Sequence, residues 1–325
     1  MSCLFFSSFL FQFALVLSAR VHIRNETFSL PSGWDETAEK LYHTQITICA
    51  ETSRATPEKI KEITLPPLGP FTFYAGPITG HQSPELLTWY AQDIQTWEPN
   101  TFRTYLTYLT AATHYIDFGT WVGPTLLFAA QMVEVAVGIE ADPVAFAVVS
   151  YNTKLNRNRP WGDRVHLVAG GVGPGGNVNP TPQSQVMKSY GAGGSCSGFS
   201  ALAPHCANEK KKTIQWEVNT FSLPTVMKNY HIPFLSTTFI KVDVESFECV
   251  LLPSWLSWIK GNKDKKPTFF ISFHAHGKCS DEQYKIINEI AHSFKAILFD
   301  DGKPAPLSET WKYFGETLIF TDWAA

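Results

Sequence analysis

The 325-residue chain has little charge, few sulfur-bearing residues and no dense block of either sign. Asp, Glu, Lys and Arg make up 17% of it, and the net charge is only -3. That balance argues against nucleic acid or an anionic membrane surface as the main partner. The lysine clusters Lys210-Lys211-Lys212 and Lys260 to Lys266 are short and read as solvated loops. Six cysteines, at 3, 49, 196, 206, 249 and 279, are too scattered for a disulfide framework. No Cys-x-x-Cys spacing occurs, which removes zinc-ribbon and thioredoxin-like readings. In an oxidising lumen Cys196 and Cys206 could pair across their loop, whereas Cys249 and Cys279 read equally well as free thiols. His274 and His276 alternate on a strand pattern, but no third ligand stands at a typical spacing. Core or rim histidines are expected there, and no metal site. Internal repeats are lacking, and so is a Gly-x-Gly-x-x-Gly fingerprint.

Hydrophobic residues, by contrast, reach 44% and aromatics 14%, enough for a full-sized core. Cys3 to Leu17 is almost wholly apolar, and Ser18-Ala19 follows with small residues before Arg20. This matches the apolar region and cleavage site of a secretory signal peptide over residues 1–19. No Lys or Arg precedes the run, so membrane attachment through residues 4–17 is the alternative. Entry into the secretory pathway is expected, with glycosylation at the sequon Asn25-Glu26-Thr27. Residues 20–82 read as a Pro-rich, irregular extension with a short helical stretch near Pro57–Ile63. Ser83-Pro84-Glu85 opens a helix to about Trp97 and begins the main domain, residues 83–325.

From there β and α elements alternate. A helix over Asn100 to Ala112 leads to a strand at 114–118, a helix at 124–133, a strand at 135–139, a helix at 143–155 and a strand at 164–169. Residues 170–212, rich in Gly, Pro, Ser and Asn, read as a structureless functional loop or lid. Strands are expected again at 213–219, 238–243, 267–273, 295–299 and 317–321, with helices near 223–230 and 280–294. Such alternation implies a mostly parallel sheet covered on both faces, with ligands beyond the carboxyl ends of its strands.

Two stretches carry chemistry on that rim. Tyr115-Ile-Asp-Phe-Gly-Thr-Trp-Val-Gly joins a strand ending in Asp117 to a glycine turn and a helix. The next strand ends in Glu140, whose carboxylate can accept both hydroxyls of a ribose. Trp121 occupies the middle of the turn and leaves poor room for a pyrophosphate. Asp117 points to a cationic ligand part, which favours S-adenosylmethionine over NAD. The second stretch, Phe239 to Glu248, places Asp243, Glu245 and Glu248 at another strand end, with Lys241 available to compensate them.

Together with Glu140-Ala-Asp-Pro, Asn152, Leu155-Asn156 and Pro267-Thr-Phe-Phe-Ile-Ser-Phe-His, these stretches resemble the FkbM family of S-adenosylmethionine-dependent methyltransferases over roughly residues 113–300. The resemblance implies an α/β, Rossmann-like class I methyltransferase fold with a mostly parallel seven-stranded sheet and helices on both faces. It implies S-adenosylmethionine as cofactor and a hydroxyl of a sugar, glycan or small molecule as acceptor. Asp117, Gly119 and Gly123 would line the methionine end, Glu140 would hold the ribose, and Asp243 and Glu245 would face the transfer site. Trp121, Ser246 and Ser272 depart from the family's pattern; the alternative they favour is a non-catalytic binding protein on the same scaffold.

Overall fold

The computed structural model describes residues 59–75, 98–175, 183–189, 197–199, 214–245, 247–262, 266–274, 279–305 and 316–323. The apolar N-terminal run, the sequon, the Ser83–Trp97 helix, Cys196, Cys206, the Lys210–Lys212 cluster, Ser246 and His276 lie outside the described residues.

The elements, in chain order, are strands β1 (Ile60–Thr64) and β2 (Pro70–Tyr74), helix α1 (Pro99–Tyr108), β3 (His114–Phe118), α2 (Pro124–Ala130), β4 (Val135–Glu140), α3 (Pro143–Leu155) and β5 (Val165–Ala169). They continue with β6 (Gly171–Val172), β7 (Gln183–Ser189), β8 (Ser197–Phe199), β9 (Ile214–Phe221), α4 (Leu223–Asn229), β10 (Thr238–Val242), α5 (Glu248–Gly261), β11 (Thr268–Ser272), α6 (Asp281–Ala291), β12 (Ala296–Phe299) and β13 (Thr317–Thr321).

Seven strands form the central sheet in the order β12-β13-β11-β10-β3-β4-β5. Neighbours from β11 through β5 run parallel, and β13 is antiparallel to both β11 and β12. Strand alternation separates two apolar faces. Tyr115, Ala136, Phe239, Phe270 and Ile319 turn to one cluster, with Phe102 and Tyr105 of α1, Leu126 to Ala130 of α2, and Val148 of α3. Ile116, Val137, Ile240, Phe269 and Phe320 turn to the other, with Val226 of α4, Leu251 and Trp255 of α5, and Ile287 and Ile290 of α6. Burial on both faces explains why these strands read as continuous apolar runs.

Two expectations are corrected. The stretch expected to be helical near Pro57–Ile63 contains strand β1, paired antiparallel with β2 from Ile60↔Tyr74 to Thr64↔Pro70. Its β-branched and aromatic residues suit a pleated surface, and Phe71 and Phe73 are fully buried. Asn152 and Asn156 of α3 and its end fix this hairpin: their side-chain oxygens accept from the backbone N–H groups of Tyr74 at 2.8 Å and Thr72 at 2.7 Å. The 170–212 stretch is likewise not wholly structureless. β6, β7 and β8 lie within it and join β9 in a second sheet of order β6-β9-β7-β8. Glycine and serine there obscure strands β6 and β7, whose partner β9 comes later in the chain, and β8, which pairs with β7.

A third finding concerns the thiols. Cys249 and Cys279 form a disulfide with Cα atoms 5.3 Å apart. It ties the first turn of α5 to the residue preceding the capped start of α6, where Ser280 and Gln283 make reciprocal cap bonds. Among the described residues no helix is long and apolar enough to cross a membrane.

Candidate active site at the switch point

The sheet order turns in opposite directions from β3, toward β4 on one side and β10 on the other. In an open α/β sheet this is where a crevice forms beyond the carboxyl ends of the strands. Parallel pairing sets Lys241 directly opposite Asp117, and Gly138 opposite Asp117 on the other side. With a two-residue period, Asp117, Lys241, Asp243 and Glu140 all project from one face toward this crevice.

Asp117 lies deeper than the sequence implies. Its carboxylate is fully buried and accepts hydrogen bonds from Thr125 Oγ1 at 2.7 Å, Tyr115 Oη at 3.0 Å and Lys241 Nζ at 3.1 Å. Burial pushes its proton affinity up, while Lys241, Thr125 and Tyr115 pull it down. Its influence on a ligand therefore passes through Lys241. That ammonium also donates to the Gly119 carbonyl at 3.1 Å and pairs with Asp243 Oδ2 at 3.2 Å. Burial works against its charge, but Asp117 and Asp243 outweigh it and hold Lys241 above the usual lysine range.

The two expected turn glycines meet protein rather than open space. At φ +79°, a Cβ on Gly119 would sit 1.8 Å from the Asp243 carbonyl oxygen. At φ +96°, a Cβ on Gly123 would sit 2.7 Å from Val149 Cγ2. Only glycine fits either position, because no side chain tolerates both the left-handed backbone and the contact. Gly119 thus joins the β3 turn to the β10 end, and Gly123 lets α2 approach α3.

Glu140 ends β4 with 8% of its surface exposed. Its Oε2 accepts from the Trp121 backbone N–H at 2.6 Å, and its Oε1 accepts from that of Asp142 at 2.7 Å. Burial and the neighbouring Asp142 push its carboxyl up to about 8, against the pull of those two amides. Trp121 adopts a left-handed φ of 51°, which aims its N–H at Glu140. The indole itself is half-buried against the α1–α2–α3 side of the core.

On the β10–β11 side the carboxylates gather as the sequence suggests. Asp243 and Glu245 are both partly exposed at the rim. Glu245 has φ 52°, and burial, then Asp243 and Glu248, raise its carboxyl to about 7 against the pull of His274 and Lys241. His274, two residues beyond β11, reaches Asp243 Oδ1 at 3.6 Å and Glu248 Oε1 at 3.4 Å. Burial disfavours its charge, but the Glu248 hydrogen bond and the charges of Asp243, Glu248 and Glu245 raise it to about 10.

Glu98 is the one rim group with no sequence expectation attached. It caps α1 with φ 44°. Asn100 and Thr104 of that helix bond to Asp300 beyond the carboxyl end of β12, which brings the start of α1 to the rim. Desolvation and Asp243 raise the Glu98 carboxyl, while Lys241 and His274 lower it. The Glu98-Pro99 helix start was the available signal. Three of the four described non-glycine residues with positive φ, Glu98, Trp121 and Glu245, stand at this rim. Strained backbone of this kind concentrates at functional sites.

Sheet and rim together define a Rossmann-like α/β protein with an acidic crevice at its switch point. No family model and no curated protein matches the chain. Among solved structures it is similar to methyltransferase FkbM from Methylobacillus flagellatus KT, at 14% identity and a TM-score of 0.38. That likeness covers 89% of this chain and 63% of the other, so the chain spans less than two thirds of that protein's length. It is also similar to the O-methyltransferase from Bacillus cereus in complex with SAH, at 10% identity and a TM-score of 0.35, covering 89% and 92% of the two chains.

Proposed function

We propose that the chain is an S-adenosylmethionine-dependent methyltransferase acting on a hydroxyl of a glycan or small molecule. The observation that carries this reading is the charge imbalance at the switch point. Among the described residues, Asp243 and Glu245 at the rim, with Asp117 and Glu248 buried behind them, gather around two cations, Lys241 and His274, so the crevice favours a further cation. Such a crevice fits S-adenosylmethionine, whose sulfonium and ammonium are cationic; when bound, it supplies an electrophilic methyl group. NAD, with an anionic pyrophosphate, fits the same carboxylates poorly.

In this reading Glu140 receives the ribose hydroxyls through the lone pairs its two backbone amides leave free. Lys241 fixes the Gly119 carbonyl and the Asp243 carboxylate relative to each other, which holds the two halves of the crevice in register. Glu245, poised near neutrality, takes the proton of the acceptor hydroxyl, and Asp243 orients that hydroxyl. The remainder of the rate arises from holding the acceptor in line with the methyl group.

The test is calorimetric titration of the purified chain with S-adenosylmethionine, S-adenosylhomocysteine and NAD. Binding of the first two but not NAD is expected, and no binding of either sulfur compound sinks the proposal. The second reading, a binding protein without transfer activity, draws on Trp121, whose left-handed backbone shapes the cofactor turn. Cofactor binding with no transfer of labelled methyl across a broad glycan panel would decide for it. The Cys249–Cys279 disulfide supports an oxidising, secretory location, as does the apolar run at residues 4–17. A mobility shift on N-glycosidase treatment of protein expressed in secretory cells checks that location.

A further inference from the structure

His274 plays no part in the scheme above, yet it touches both sides of the segment that carries Glu245. Its ring lies between Asp243 at the end of β10 and Glu248 at the start of α5. Glu248 Oε1 also accepts from the Val244 backbone N–H at 3.1 Å. Its Oε2 is buried and receives no hydrogen bond among the described residues. A buried carboxylate in that state needs a counter-charge, and the imidazole is the cationic group against it. The Cys249–Cys279 disulfide ties the same first turn of α5 to the residue that precedes the cap of α6. Glu245 sits inside this frame on a left-handed backbone, which only its surroundings can maintain.

We infer that His274, as an imidazolium clamped between Asp243 and Glu248, is a positioning residue that ties the end of β10 to the start of α5 around Glu245. The role of Glu245 as proton acceptor rests on the methyltransferase reading; the clamp itself does not. Among the described residues, the charged groups around His274 are Asp243 just beyond β10, Glu245, Glu248 from α5 and Glu98 from the start of α1, with Lys241 the neighbouring cation behind Asp243. Four carboxylates around one ring keep it charged at neutral pH. The charged ring in turn lowers the proton affinity of Glu245, against the burial and the neighbouring Asp243 and Glu248 that raise it.

The experiment reads carboxyl and imidazole titrations by NMR on the full chain, with no acceptor needed. In the wild type, the His274 ring is expected to stay protonated through pH 8, and a ring found neutral at pH 7.5 overturns the proposal. The Glu245 carboxyl resonance, assigned by its loss in Glu245→Gln, is expected to titrate with a midpoint about one pH unit higher in His274→Gln than in the wild type. His274→Lys, which restores a cation, is expected to bring the midpoint back. An unchanged midpoint in His274→Gln, or equal rises in both variants, removes the charge from the explanation and overturns the proposal. S-adenosylhomocysteine titration of the same samples separates the two claims. Absent binding in the wild type defeats the methyltransferase reading alone, while the carboxyl titration still judges the clamp.

Discussion

The two banks of the crevice are held by different means. On the β3–β4 side, the key carboxylate, Glu140, is gripped by backbone amides of Trp121 and Asp142. On the β10–β11 side, Asp243, Glu248 and His274 hold one another through side-chain charge. A backbone-held group depends on φ and ψ, so glycines and strained residues decide its geometry. A charge-held group depends on the protonation of every neighbour, so its geometry is conditional on pH. Lys241, bonded to Asp117, the Gly119 carbonyl and Asp243, is the bridge between the two.

Breaking that bridge should cost most. Lys241→Met leaves the buried Asp117 without its cation and Asp243 with His274 alone, and a loss of about 3–5 kcal/mol in denaturant unfolding is expected. The double variant Asp117→Asn, Lys241→Met should recover part of it, because one buried charge is removed as well. Next comes the disulfide. Replacing Cys249 and Cys279 by serine opens a loop with a sequence separation of 30 and should lower stability by about 3 kcal/mol. The loss should be read from thermal unfolding of the variant against the oxidised wild type. Gly119→Ala then tests the backbone seam between the banks. Left-handed backbone and the clash with the Asp243 carbonyl together predict about 2–4 kcal/mol, measured the same way.

The smallest effects on stability sharpen the contrast most. Glu140→Gln should weaken S-adenosylhomocysteine binding about tenfold or more, whereas Glu245→Gln should leave that affinity within about twofold and lower methyl transfer by about 10²-fold or more. A pH dependence separates the banks as well. The folded-state value of Glu140, about 8, lies above the usual 4.5 of an unfolded glutamate. Its contribution to stability is therefore fully present below pH 4.5 and is lost as pH rises through about 8. Thermal unfolding should show that decline flattened in Glu140→Gln. Ligand hydroxyls favour the ionised carboxylate, so S-adenosylhomocysteine should bind more tightly as pH rises from 6.5 to 8.5.

This division also accounts for what the sequence disclosed. The alternation of strands and helices from His114 to Ala169 was legible because each central strand is apolar on both faces. Asp117, Glu140, Asp243 and Glu245 were legible as strand-end acids, since strand ends in a parallel sheet share one rim. The depth of Asp117 was not, because it follows from the Lys241↔Asp117 register and from hydroxyls on Tyr115 and Thr125. Gly119 and Gly123 are legible as turn residues, but their close contacts are Asp243 and Val149, positions 124 and 26 residues away. His274 and Glu98 belong to the rim only through pairings remote in the chain. Strand β7 is hidden in the sequence for a similar reason, since its partner β9 lies beyond a Gly/Ser-rich stretch, and β8 in turn pairs with β7.

One consequence of the sheet order concerns the birth of the protein. β13 is the last strand described, yet it lies between β11 and β12 rather than at an edge. Until Thr317–Thr321 has left the ribosome, β11 and β12 face each other across a gap of one strand. Helix α6, which follows β11, must wait over an unfinished floor with Ile287 and Ile290 only partly covered. Completion of the sheet is thereby deferred until the end of this segment's synthesis, and a nascent chain stalled before Leu318 presents two open β-edges to chaperones and to its neighbours.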